Sequence, residues 1–364
     1  MLTRAEQFLF LGRCLTPEVA ADPELAEAIQ AGSIPWQQLL WLAGNHLVTP
    51  ALAGSLRRKA LFDLLPEEIR DYLDSLETFN RERNQILYRE LIHIAQLLNR
   101  SGIEPLLLKG ANALLPDQYP GAEDRVLGDL DLMVPADKIE AASAALQADG
   151  YLQLSLERVL PRDLIRSHHA APLLHSNLPV TVELHSRMLC NVQDDLWLSA
   201  KLLATPITLS GGNATVLVPD PATRLLHNFL HTQIQDLNHA LFSLAHRQLL
   251  EFVSLRHWQG QQWEWPGLAK RLRPKRHRAL AGYLLAAERW YGQTMPSDLR
   301  IPAGSMFCFN LTERAQAEHR WRRLLALYRI PRLYLPRLLT LPYRLLTPTW
   351  FVLKYQSLRR GEPL

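Results

Sequence analysis

Two aspartates separated by one leucine, Asp129 and Asp131, stand in a run from Gly128 to Val134 in which charged and apolar residues alternate. Residues i and i+2 of a β-strand point to the same side, so both carboxylates would face one spot. Like charges held together there call for a divalent cation, and oxygen ligands of this kind suit magnesium or manganese. Leu130, Leu132 and Val134 would face the core while the aspartates face out. Glu183 stands mid-strand in the alternating run Val180–His185, and His185, two residues on, shares its face. Buried strands rarely display Glu and His without partners. Twenty residues before Asp129, Lys109-Gly110 closes the apolar run Pro105–Leu108. A strand–glycine–helix junction offers backbone N–H groups and a helix N-terminus to an anion, and the lysine adds a point charge. Three carboxylates from two strands beside an anion cradle are the parts of metal-assisted phosphoryl or nucleotidyl transfer. Two other chemistries stay open on these residues. A DxD pair also serves sugar-nucleotide transferases acting on a glycan or modified peptide, and Glu183 could sit in a purely structural ion pair, as in a degenerate, non-catalytic protein that binds a partner protein or RNA.

Other polar groups carry weaker signals. His227 and His231 are spaced i, i+4, with Asp236 and His239 following. Histidine pairs at this spacing bind metals, but no third ligand stands at a matching interval, so a polar stripe facing a cleft or solvent is expected. His168-His169 reads as loop polarity. Trp258, Trp263 and Trp265 precede the basic cluster Lys270, Arg271, Arg273, Lys275, Arg276 and Arg278. They could stack on nucleic-acid bases, although core packing at a helix end is the simpler expectation. Neither GxxxxGK[ST] nor GxGxxG after a strand occurs, which speaks against P-loop and Rossmann enzymes. The absence of GxSxG weakens an α/β-hydrolase assignment.

The elements that must hold these residues can be traced along the chain. Residues 1–100 read as a helical region. Trp36, Leu39, Leu40, Ala43 and Leu47 recur at helical spacing, Pro66 opens a helix with Glu67 and Glu68 in its first turn, and Leu87, Leu91, Ile94 and Leu98 form one apolar stripe ended by Ser101-Gly102. Residues 101–219 read as an α/β core. It contains strands at Pro105–Leu108, Asp129–Val134, about 151–156 and Val180–His185, a helix from Pro135 to Asp149, and a hairpin of Thr205–Leu209 with Thr215–Val218. Asp220-Pro221, an N-cap followed by proline, opens a helical region over 220–364. The fold class is therefore α+β, a small mixed-sheet core flanked by helical segments.

Length and composition fit this partition. A chain of 364 residues predicts two or three domains, and 48% hydrophobic with 21% charged residues is ordinary globular composition. No apolar run approaches transmembrane length, the N-terminus shows no cleavage pattern, and Cys14, Cys190 and Cys308 form no CxxC. Together these point to a reducing cytoplasm. The net charge of +4 is unevenly spread: ten basic and no acidic residues lie between Arg320 and Arg360. Such a tail suits a phosphate-rich partner or an anionic surface. Pro331, Pro336, Pro342 and Pro348 break it, so membrane contact is not expected.

The stretch LLLKGANALLPDQYPGAEDRVLGDLDLMV, followed by TVELHSRML, resembles the bacterial uncharacterised nucleotidyltransferase family of the DNA-polymerase-β-like superfamily. Their shared pattern is Lys109-Gly110, Tyr119-Pro120, Arg125, Asp129 and Asp131, then Glu183 and His185. WQQLLWLAGNHLVTPAL upstream, and His231 with HRQLLEF downstream, extend the resemblance from Trp36 to about Leu255. It implies transfer of a nucleoside monophosphate from an NTP donor to a hydroxyl, dependent on magnesium or manganese. Asp129 and Asp131 would bind metal ions, and Glu183 would complete that site or deprotonate the acceptor. Lys109 and Gly110 would hold the triphosphate, Arg125 would neutralise developing charge, and His185 would join the nucleotide-binding set. The acceptor (small molecule, peptide, protein or RNA) and the oligomeric state stay open. The sequence departs from the pattern in two places. The superfamily's usual glycine–serine pair is Lys109-Gly110, with Ala111 where the serine would stand, and a usual downstream aspartate is Glu251.

Overall fold

The protein is described by a computed structural model covering residues 2–327, apart from 18–21, 117, 154–168, 177, 210–212, 259–264, 294–300, 319, 322 and 326. His168, Trp263 and the basic tail beyond residue 327 thus lie outside the described residues.

The N-terminal region folds into α1 (Arg4–Leu15), α2 (Pro23–Gln30), α3 (Trp36–Asn45), α4 (Thr49–Arg58) and α5 (Glu67–Arg100). Thr3 caps α1 through a capping box with Glu6, and Asp22 caps α2 ahead of Pro23. The 34-residue α5 starts after Pro66 with the expected carboxylates, and its stripe Leu87, Leu91, Ile94 and Leu98 is fully buried. The chain then builds seven strands: β1 (Leu106–Leu107), β2 (Asp129–Met133), β3 (Leu152–Gln153), β4 (Leu173–Leu174), β5 (Thr181–His185), β6 (Ala204–Thr208) and β7 (Thr215–Pro219). Between them lie α6 (Ile139–Ala148) and α7 (Val192–Ser199). They form one mixed sheet in the order β3-β4-β5-β2-β1-β7-β6. The expected β6–β7 hairpin is present as an antiparallel pair. The C-terminal region contributes α8 (Pro221–Phe229), capped by Asp220, then α9 (His246–Trp258), α10 (Trp265–Ala269), α11 (His277–Tyr291) and α12 (Ser305–Ala317). The fold class is the expected one, an α+β core with flanking helices.

Alternation along the strands divides the apolar interior in two. Leu107, Leu130, Leu132, Val182, Leu184, Val216 and Val218 point to one side of the sheet and pack with the second half of α5 and with α6. The other core joins the two helical ends of the chain. Phe8, Leu11 and Leu15 of α1 and Leu52 and Leu56 of α4 share it with Leu225 and Phe229 of α8, Phe252 of α9 and Leu284 of α11. The second face of the sheet looks towards these C-terminal helices, and a cleft separates the two where polar residues replace the apolar ones.

Candidate active site

β2 and β5 run parallel, with Asp129 opposite Thr181, Asp131 opposite Glu183 and Met133 opposite His185. This register places Asp129, Asp131, Glu183 and His185 on one face, the face turned away from α5 and α6. On the other side of β2, β1 pairs antiparallel with Leu107 opposite Leu132, and the Leu108 N–H donates to the Asp131 carbonyl. The residue after that bond is Lys109, whose backbone turns left-handed at φ +47°. A lysine at positive φ is uncommon and marks a constrained turn. Asn112 braces it by donating to the carbonyls of Leu107 and Lys109.

Asp131 is the hub. One of its oxygens, Oδ1, accepts from Lys109 Nζ and from His185 Nε2, each at 2.7 Å. Its residue exposure is 1%, so the expectation that both aspartates face solvent holds only in part. The alternation is right, but Lys109 and His185 close over this carboxylate. Burial would raise the Asp131 pKa; the hydrogen bond from His185 and the Lys109 charge overcome that and hold it well below the usual carboxylate range. Asp129 is half-buried, and burial, with Asp131 beside it, pushes its carboxyl up to about 6. Glu183 sits 3.6 Å from His185 Nε2, and that partner lowers its pKa. His185 is fully buried. Burial alone would lower its pKa, but the two carboxylates it faces move it up. The His169 ring packs against it at a tilt of 56°, with centroids 5.3 Å apart. Asp131, Glu183 and His185 each present a ligand atom within 4.8 Å of the others.

The junction after β1 is a 3-10 turn over Lys109–Leu114, where an α-helix was expected. Gly110 is required there by close packing: a Cβ would stand 2.7 Å from Leu127 Cδ2 and 3.4 Å from a guanidinium nitrogen of Arg125. Arg125 is buried and bound to Glu251 of α9, with Nη2 2.9 Å from Oε2. Asn80 and Asn84 of α5 both donate to the Arg125 carbonyl, which pins the turn-rich segment before β2.

A cleft of about 810 Å³ opens between this edge of the sheet and the helices. Lys109, Gly110, Arg125 and Asp129 line it from the core side. Arg224, His227, His231, Arg247 and Glu251 line it from α8, α9 and the π-helical turn over Leu230–Gln235. The cleft thus collects Lys109, Gly110, Arg125 and Asp129 of the expected site residues, whereas Asp131, Glu183 and His185 are not in its lining and group with one another. His227 is buried with Nε2 on the Met188 carbonyl, and burial depresses its pKa well below the histidine range. His231 Nδ1 lies 3.3 Å from Asp236 Oδ2. Among the described residues, His227, His231 and Asp236 do not converge as a metal-ligand group. A second acidic group, Glu77, Glu123 and Asp124, is met by Arg57 and Arg58 and reads as structural. In the basic cluster after α10, Arg271 pairs with Asp220, and Arg273 and Arg276 pair with Asp194, so half of that patch is neutralised within the chain.

Arg224 and Arg247 went unseen in the sequence. Arg247 stands four residues before Glu251 on α9, one turn along the same face, but only the folded wall shows that both it and Arg224 look into the cleft.

No curated protein and no solved structure matches the chain. Residues 32–292 match the family described as uncharacterised nucleotidyltransferase. That span contains both carboxylate-bearing strands, the Lys109 turn and the helical wall of the cleft, and the chain belongs to this nucleotidyltransferase family.

Proposed function

We propose that the protein moves a nucleoside monophosphate from an NTP to a hydroxyl acceptor, with a divalent cation, magnesium or manganese, held by Asp129, Asp131 and Glu183. The observation that carries this is the β2–β5 register, which sets Asp131 opposite Glu183 and Asp129 one step along the same face, beside a cleft lined with cations. The donor set fits a hard cation: it consists of carboxylate oxygens, and the charges of Asp131 and Glu183 add to the burial that raises the Asp129 carboxyl.

A cation bound there would neutralise the phosphates and lower the pKa of the acceptor hydroxyl. The chain's own groups have distinct tasks. His185 holds Asp131 in orientation from below, as outer-shell partners of metal ligands do. Lys109, now on Asp131, would be free to turn to the donor phosphates with a cation bound at that carboxylate. Gly110 keeps the turn open to the phosphates, and Arg125 offsets charge as it develops. Glu183 completes the metal set or accepts the acceptor's proton. A bond forms between the acceptor oxygen and the α-phosphorus, the bond from that phosphorus to the bridging oxygen breaks, and pyrophosphate departs with its electron pair.

Titration calorimetry with non-hydrolysable NTPs and with sugar nucleotides, each with and without magnesium, tests this. Magnesium-dependent NTP binding that disappears in Asp129→Asn is expected. Selective binding of sugar nucleotides would overturn it, as would NTP binding indifferent to both metal and Asp129. Among the described residues no helix is long and apolar enough to cross a membrane.

A further inference from the structure

Each charged group on the cleft wall can be followed to its partner. Lys109 is held by Asp131, Arg125 by Glu251, and Asp236 by His231. Two arginines remain. Arg224, 8% exposed, donates only to neutral oxygens, the side-chain and backbone carbonyls of Gln118. Arg247, partly buried on the neighbouring helix, makes no hydrogen bond or ion pair among the described residues; Arg125 repels it, and Glu251 and Asp129 attract it only from beyond ion-pair distance. Guanidinium groups are seldom withdrawn from water without a counter-charge, because the desolvation cost reaches several kcal/mol per ion. Both arginines open into the same cleft as Asp129. The wall thus carries two guanidinium groups with no direct ion-pair partner among the described residues, opposite a crowded set of carboxylates.

We propose that Arg224 and Arg247 form a polyphosphate seat on the helical wall, which holds the β- and γ-phosphates of the donor and then the departing pyrophosphate. This rests on the nucleotidyl-transfer reading for the identity of the ligand, although not for its charge. Planar guanidinium forks match phosphate oxygens two at a time, which an ammonium cannot do. The seat also accounts for the missing glycine–serine pair: with Ala111 in place of a serine, the terminal phosphates find further donors on α8 and α9 besides Lys109. Burial lowers the pKa of both arginines, and that of Arg224 falls to about 10, which is consistent with charges awaiting an anion.

Inorganic tripolyphosphate in metal-free buffer is the direct probe, titrated calorimetrically into the full chain. Arg247→Gln breaks no contact, so its fold is preserved; Arg224→Lys keeps the charge beside Gln118 while removing the fork. Wild type should bind, Arg247→Gln should bind roughly tenfold to hundredfold more weakly, Arg247→Lys should recover part of the loss, and Arg224→Lys should weaken binding to a lesser degree. Equal affinity in wild type and Arg247→Gln, or no binding by wild type, overturns the seat. The same proteins titrated with NTP and magnesium separate the two ideas. Tripolyphosphate binding that depends on Arg247, without any NTP binding, upholds the seat and removes nucleotidyl transfer. Magnesium-dependent NTP binding that ignores both substitutions removes the seat and leaves nucleotidyl transfer standing.

Discussion

Lys109 Nζ and His185 Nε2 meet on a single oxygen of Asp131, each 2.7 Å away, so that a half-buried lysine and a buried histidine share one buried carboxylate. The carboxylate is therefore both a candidate metal ligand and the counter-charge for two cations. Any substitution there removes two things at once.

The two aspartates should separate in a stability measurement. Asp131→Asn leaves Lys109 and His185 without their shared counter-charge in a buried place, which costs about 3–5 kcal/mol. Asp129→Asn removes a carboxylate that burial already disfavours, so thermal stability should stay near wild type or rise slightly. Both should abolish transfer. Melting curves and a labelled-NTP assay on the two variants check this. A wild-type melting temperature in Asp131→Asn would show that the triad contributes nothing to the fold.

Magnesium binding should weaken in acid. The Asp129 carboxyl is raised from about 3.8 to about 6 in the folded protein. Folding stability from this group is highest at low pH and falls as pH rises from about 4 to about 6, because only the unfolded chain gives up the proton easily. A cation competes with that same proton. The increase in melting temperature produced by magnesium should be larger at about pH 8 than at about pH 5.5, and Asp129→Asn should level the two. Equal shifts in wild type at both pH values would remove Asp129 from the metal set.

The strands of this site were legible because alternation is a strong signal. Asp129, Asp131 and Glu183 stand between residues that must be buried, so their common face followed from the i, i+2 rule. What the sequence concealed was depth. Nothing in Gly128-Asp-Leu-Asp says that one aspartate will be half-buried and the other sealed, since that depends on Lys109, which reaches back from a left-handed turn on a neighbouring strand. The helix expected after Gly110 is a 3-10 turn instead, packed so closely on Leu127 and Arg125 that a side chain at Gly110 would not fit. The two helical ends of the chain, read as separate regions, share one core because apolar faces of α1 and α11 meet across more than 250 residues of sequence. Helical periodicity identifies such faces without naming their partners.

Arg125 and Glu251 should behave as a coupled pair. Each is about nine-tenths buried, and each is the other's charge partner across the seam between core and helices. Removing either alone strands a buried charge, at a cost of about 3–5 kcal/mol, whereas the double replacement Arg125→Met with Glu251→Met should cost less than the two single changes added together. Chemical denaturation of the four proteins gives the coupling energy. Strict additivity would mean that solvent already screens the pair.

The last expectation concerns acid stability away from the cleft. His246 is completely buried among Phe8, His46, Trp290 and Tyr291, with Nδ1 on the Tyr291 hydroxyl and Nε2 without a hydrogen-bond partner among the described residues. Burial, with His46 alongside, depresses its pKa well below 6.5. The folded protein therefore keeps this ring neutral while the unfolded chain takes up a proton. The sign is that stability is intact above about pH 6.5 and declines as pH falls below it, by about 1.4 kcal/mol per pH unit for one such histidine. His227 is depressed in the same direction and adds to the slope. His246→Phe should remove one proton's share. The new ring can stack on Phe8 and Trp290 as the imidazole does, and the Tyr291 hydroxyl still has the residue 246 carbonyl, 3.2 Å away, to donate to. The backbone N–H of residue 246 likewise keeps its bond to His46 Nδ1. The variant should be at least as stable as wild type at neutral pH, since the unpartnered Nε2 is gone, and its stability should fall less steeply between about pH 6 and pH 5. Denaturant titrations at several pH values read both quantities. Identical slopes in the two proteins would show that the ring is already protonated inside the fold, contrary to its surroundings.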